Sequence, residues 1–185
     1  MTRVRRFIVA LALCAQVLSL PSSRAVANEL SEYQVKAAFL MNFANFTEWP
    51  VHSFPDGLAP VVVGVLGDDP FGHDLDRMVK GKSLSGHPMT VKRVDWRADL
   101  NAFHILFISA SEQQRLPDIL HKLESSSALT VSDIDGFCVA GGMIAFVVQN
   151  DHVRFEINAE IAQRRGLKVS SKLLSLATNL HTKGN

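Results

Sequence analysis

"GFCVAGGMIAF", residues 136–146, is the stretch whose reading decides the fold. Gly141 and Gly142 stand between two apolar runs. A phosphate-cradling loop needs its glycines between a strand and the start of a helix, so that the helix N-terminus faces the anion. Here the pair leads instead into Met143–Val148, an apolar stretch with strand character. It reads as a turn that uses positive φ, a fold element. Val153–Ile157 repeats the strand pattern, and "QND" (149–151) between the two runs predicts a hairpin.

The same reading extends outward. "VVVGVL" (61–66) is a continuous β-branched run, the pattern of a strand buried on both faces. Further strands are predicted at Met89–Val94, Phe103–Ile108 and Ala128–Val131, with helices over Phe71–Lys80 and Pro117–Glu124. "SEYQ" (31–34) forms a capping box, with Ser31 as N-cap and Gln34 reaching back. It opens a helix whose Phe-rich face is Val35, Ala38, Phe39, Asn42, Phe43 and Phe46, ended by Trp49-Pro50. Asn158 caps a helix stopped by Gly166, and Ser170 caps another running through Leu173, Leu174 and Ala177. Strands alternating with helices predict one α/β domain, a central mixed β-sheet flanked by helices on both faces.

Composition sets the outer bounds. The 185 residues are 47% hydrophobic and 20% charged, as expected of a globular chain. Residues 1–27 read as a secretory signal peptide: Arg3, Arg5 and Arg6, then the apolar run Phe7–Leu20, then Ala25 and Ala27 at the cleavage subsites. The apolar run of 14 residues is short of the roughly 20 that a spanning helix needs. Leu13 stands before Cys14 where a lipoprotein signal carries a small residue. The expected mature domain is therefore 28–185, in the periplasm. Cleavage removes four arginines (Arg3, Arg5, Arg6, Arg24) and no acid, taking the formal charge from +1 to −3. A mildly acidic exported domain is a poor nucleic-acid binder, so no nucleic-acid partner is expected. Cys14 leaves with the signal, and the remaining Cys138, among apolar neighbours, is expected to be buried.

Candidate chemistry is sparse. Asp68-Asp69 follows a buried strand, where α/β folds place ligands, but Asp69-Pro70 also reads as a helix N-cap with proline in the first turn. The seven histidines show no i, i+4 pair, so no metal site is assigned. "SDIDG" (132–136) has its glycine too early for a calcium loop. No GxSxG is present, and an apolar setting would raise the pKa of Cys138, opposite to a nucleophile's need. No catalytic residue, metal ligand or cofactor is expected, and the chain is read as no enzyme.

The motifs "YQVKAAFLMNFANFTEWP" (33–50), "VGVLGDDPFG" (63–72), "HILFIS" (104–109), "LTVSD" (129–133), "FCVAGGMIAF" (137–146), "FEINAEIAQRRGL" (155–167) and "SSKLLSLA" (170–177) resemble, in this order, those of the YfiR family. The resemblance covers nearly all of 28–185. It implies a periplasmic regulator that restrains an inner-membrane diguanylate cyclase through that enzyme's periplasmic domain. It also implies an OmpA-like outer-membrane lipoprotein that draws the regulator away, a central sheet flanked by helices, and a homodimer. Members outside the cyclase system leave a second expectation, a small-ligand-binding accessory protein of a sensor kinase or outer-membrane receptor, with its crevice near Asp68–Gly72. The best understood relative forms two disulfides. The positions matching one pair are Gly64 and Phe103, and those matching the other are Cys138 and Ala145, so neither bridge forms here.

Along "HVRFEIN" (152–158), alternation sends Val153, Phe155 and Ile157 to the core and leaves Arg154 and Glu156 on a surface. The resemblance implies that Ile144 and Glu156 occupy contact positions. Ile144, Arg154 and Glu156 are therefore the expected partner-binding residues.

Overall fold

The computed structural model describes residues 31–54 and 59–181; the expected signal peptide lies outside them. The chain opens with α1 (Glu32–Asn45), whose capping box is present as read: Ser31 Oγ accepts from Gln34 N–H and Gln34 Oε1 accepts from Ser31 N–H. The buried stripe of α1 is Lys36, Ala37, Leu40, Phe43 and Ala44, rotated from the expected Phe-rich face, with Asn42 exposed. The rotation brings Lys36 against Asp133. The helix also ends earlier than the Trp49-Pro50 signal, because Thr47–Glu48 (β1) pairs antiparallel with Lys168–Val169 (β9).

The core is laid down by β2 (Val61–Leu66), buried along its whole length as its sequence predicts. The chain then forms α2 (His73–Val79), β3 (Ser83–Leu84) and β4 (His87–Val94) to one side of β2. It returns through β5 (Ile105–Ile108), α3 (Leu116–Lys122), β6 (Leu129–Ser132), β7 (Ile144–Gln149) and β8 (His152–Asn158) on the other. Next come α4 (Ala159–Arg164), β9 and α5 (Ser171–Leu174), and finally β10 (Asn179–His181) beside β8. The eight-stranded order is β10-β8-β7-β6-β5-β2-β4-β3. It is mixed: β4, β2, β5, β6 and β7 run parallel to their neighbours in this run, β8 is antiparallel to β7, and β10 is parallel to β8.

Alternation in the central strands builds two cores. Val61, Val63, Val65, Ile105, Phe107, Leu129 and Val131 point to the side covered by α1, α2, α4 and α5. Val62, Leu66, Leu106 and Ile108 point to α3, where Ile119, Leu120 and Leu123 meet them. Helices thus flank both faces. On the first side Phe39, Phe43, Phe146 and Phe155 form a ring cluster, with Phe43 and Phe155 edge-to-face at 5.1 Å. Each such pair contributes about 0.5–1.5 kcal/mol beyond its buried area.

The glycine pair is a fold element. Gly141 has φ 107°, and a Cβ on Gly142 would fall 2.1 Å from the Phe137 ring. The hairpin turns on Asn150 and Asp151, at φ 51° and 60°, the left-handed pair that matches the right-handed twist of the strands. Two expectations are corrected, and one strand is added. Asp69 does not cap α2: its carboxylate accepts from Phe71 N–H (2.8 Å) and Arg93 (2.9 Å), and Gly72 precedes the helix. The last helix stops at Leu174, short of Ala177. β10 is a strand that the sequence pattern does not reveal.

Candidate functional site

The β7–β8 hairpin decides where the expected contact residues stand. Its register sets Ile144 opposite Ile157, Ala145 opposite Glu156 and Val147 opposite Arg154. Ile144 is therefore on the core face with Ile157, 0% exposed. Arg154 and Glu156 point the other way, where Arg154 is exposed and Glu156 half-buried. The structure joins Arg154 with Glu156 and separates Ile144 from both. A one-residue step along a strand reverses the face, and the expected trio overlooked that parity.

Glu156 faces a partner that the sequence did not suggest. β10 lies parallel to β8 and places His181 in register with Asn158, on the same side as Glu156. The Nε2 of His181 and the Oε2 of Glu156 are 2.8 Å apart. Below them lies Cys138, 1% exposed, with its sulfur 3.6 Å from Met143 O and 3.7 Å from Glu156 O. Asn158 holds that turn in place: its Oδ1 caps α4 at Ile161 N–H, and its Nδ2 donates to Cys138 O. Ligand atoms of Cys138, Glu156 and His181 all lie within 4.8 Å of one another. A thiol, an imidazole and a carboxylate are also the parts of a nucleophile–base–orienter set. Burial, helped by the charge of Glu156, pushes the Cys138 thiol up to about 12, so with no cation beside it the thiol stays protonated at neutral pH and is a poor nucleophile. The cluster is not a nucleophilic site.

A second group lies past the C-terminal end of β6. Lys36 Nζ is 2.6 Å from both Asp133 and Glu32, and Tyr33 Oη donates to Asp133 at 2.9 Å. Burial lowers the Lys36 pKa, but hydrogen bonds to Asp133 and Glu32 outweigh it and the net shift is upward. Two carboxylates satisfy this cation, so it anchors α1 to the sheet and leaves no charge for an anionic ligand. Of the crevice expected near Asp68–Gly72, the end at Asp68 is packed against Ser111, while Gly72 is open to solvent. Asp68 N–H donates to Ser111 Oγ (2.9 Å), and a Cβ on Gly67 would fall 2.4 Å from that same oxygen. A cavity of about 600 Å³ opens instead at the opposite strand ends, lined by Trp49, Asn101, Phe103, His104, Ser126 and Ser127 among others.

Residues 33–178 match the model of the YfiR/HmsC-like family. The chain belongs to that family. Membership implies a periplasmic regulator of diguanylate cyclase signalling. No curated protein matches the chain. Among solved structures, a conserved domain protein from Vibrio cholerae aligns at a TM-score of 0.54 and 9% identity, covering 81% of this chain and 60% of that one. The ABC domain in complex with L-Trp from Streptococcus pneumonia aligns at 0.48 and 11% identity, covering 65% and 55%. The chain thus spans less than two thirds of either structure's length, and the first likeness shows the fold alone. No helix among the described residues is long and apolar enough to cross a membrane. The positions that match the relative's disulfides are neighbours here. Gly64 lies against the Phe103 ring, where an added Cβ would be 2.5 Å away, and Cys138 faces the backbone of Ala145. Among the described residues Cys138 is the free cysteine.

Proposed function

We propose that this chain, cleaved after Ala27, is a periplasmic binding protein that restrains a membrane-bound diguanylate cyclase by docking on its periplasmic domain. The surface presented by β8 is the proposed contact, with Arg154 and Glu156 at its centre. The observation that carries the reading, beside family membership, is the state of Arg154. It is exposed on a strand, makes no ion pair among the described residues, and stands opposite the half-buried Val147 of β7 on the same face. A free guanidinium beside apolar surface is the composition of a protein contact, which is enriched in arginine and poor in other charges. Ile144 acts from beneath, by holding β7 in register. An OmpA-like outer-membrane lipoprotein is the proposed antagonist, competing for the regulator.

The test is capture of the cyclase from membrane extract by the immobilised protein, together with cyclic-di-GMP levels in a deletion strain. Capture and a rise in cyclic-di-GMP on deletion are expected; unchanged levels with no cyclase captured reject the reading. A second reading, a solute-binding accessory of a sensor kinase or outer-membrane receptor, is favoured by the 600 Å³ cavity between Trp49 and Phe103. Thermal-shift screening against small aromatic and polar solutes distinguishes it, since only this reading requires a hit that Phe103→Ala abolishes.

A further inference from the structure

We infer that Cys138, Glu156 and His181 form a site for a borderline-soft divalent metal ion of the zinc class. The three side chains come from three separate segments: the turn before β7, strand β8 and strand β10. Their donor atoms nevertheless converge within 4.8 Å. The donor set is a sulfur, an imidazole nitrogen and a carboxylate oxygen, the types that zinc takes in four-coordinate sites. Binding releases the thiol proton to solvent, and the thiolate so formed and the carboxylate together balance a divalent charge with the imidazole neutral. The hard ions magnesium and calcium, which take oxygen ligands, are excluded by the sulfur.

Geometry supports the assignment. His181 and Glu156 are already oriented on one another at 2.8 Å, so an ion entering between them replaces one hydrogen bond and needs only a few tenths of an ångström of separation. Cys138 is fixed from behind, since Asn158 Nδ2 donates to its carbonyl. The side chains of Glu156 and His181 keep 26% and 21% exposure, which gives an ion a path from solvent and room for water at a fourth position. The bland account is a hydrogen-bonded pair above a buried thiol. It accounts for each contact singly; the metal site adds that a sulfur, a nitrogen and an oxygen donor converge on one point. The consequence is structural: an ion here ties the three-residue edge strand β10 to β8 and to the turn before β7. Glu156 is shared with the proposed contact, but the metal readouts need only the purified protein and stand or fall without the partner.

The experiment is titration of the purified, metal-free protein with Co²⁺ and Zn²⁺. One Co²⁺ per chain is expected, with the near-ultraviolet sulfur-to-metal charge-transfer band that only a thiolate ligand produces. Zn²⁺ should displace it and raise Tm, whereas Mg²⁺ should not. Cys138→Ser should abolish the band, and His181→Ala should weaken binding by at least about tenfold, the loss given even by partners outside the coordination sphere. Should Cys138→Ser fold poorly, Glu156→Gln serves instead: it keeps the contact with His181 but removes the ligand charge, and should weaken binding with circular dichroism unchanged. Absence of the band in the wild-type protein overturns the assignment. So does Zn²⁺ binding of undiminished strength in a folded His181→Ala or Glu156→Gln protein.

Discussion

His104 uses both ring nitrogens in a buried setting. Val62 N–H donates to Nδ1 (3.2 Å), Nε2–H donates to Ser53 O (3.0 Å), and the ring stacks on Phe54 at 4.7 Å. Protonation would put a second N–H against the Val62 donor. Burial, assisted by nearby His87 and opposed by the Ser53 bond, holds the His104 pKa below its ordinary 6.5. The sign follows. The unfolded chain takes up a proton near 6.5 while the folded chain resists it, so the stabilisation is full above about pH 6.5 and is lost as pH falls. Urea midpoints should drop between about pH 7.5 and 5.5, and drop less for His104→Gln, which retains an acceptor and a donor. Equal slopes in the two proteins would refute this. Cys138 gives a second prediction at this scale. A thiol reagent should fail to label the native protein rapidly, and Cys138→Ser should cost about 1–3 kcal/mol through a poorly satisfied buried hydroxyl.

Among the elements, α1 adds a sheltered ion pair to its apolar stripe. Lys36 is 3% exposed and Asp133 11%, so the pair is largely sheltered, whereas Glu32 at 48% contributes little. Lys36→Ala leaves Asp133 with Tyr33 as its remaining side-chain partner and should cost about 1.5–3 kcal/mol by chemical denaturation. A loss no larger than that of Glu32→Ala would show that the anchor is apolar. On β8, two charge reversals should behave differently. Arg154→Glu should weaken cyclase capture by about 1 kcal/mol or more with Tm unchanged, since no described residue pairs with Arg154. Glu156→Lys should weaken capture comparably but also lower stability by under about 1 kcal/mol, because it loses the half-exposed His181 contact. Retained capture by both variants removes β8 from the proposed contact.

For the whole molecule, legibility followed the range of each signal. The capping box, the β2 run and the β7–β8 hairpin were readable because their cues lie within a few residues of one another. β1, β9 and β10 were not, since strands of two or three residues carry no period and form only when distant segments meet. The same limit hid the Cys138–Glu156–His181 cluster, whose members have no motif spacing and converge only through β10. Ile144 was misplaced by parity, and Lys36 was hidden by its polarity on a stripe expected to be apolar. The proposed export makes one further prediction: intact-mass measurement of protein from periplasm should give a chain beginning at Asn28. A retained leader or an acylated N-terminus would contradict it.

The hairpin turn at Asn150-Asp151 has a bearing on the order of assembly. A hairpin closes in about 1–10 μs, whereas parallel strands wait for their crossovers to form. β7–β8 is such a hairpin, yet β2, an interior strand, is synthesised long before it. Until β7 arrives, β6, buried along its length in the finished sheet, is left as an unpaired edge open to any neighbouring chain. Nascent chains truncated before residue 143 should therefore be the aggregation-prone species, and β7–β8 the element whose arrival ends the hazard.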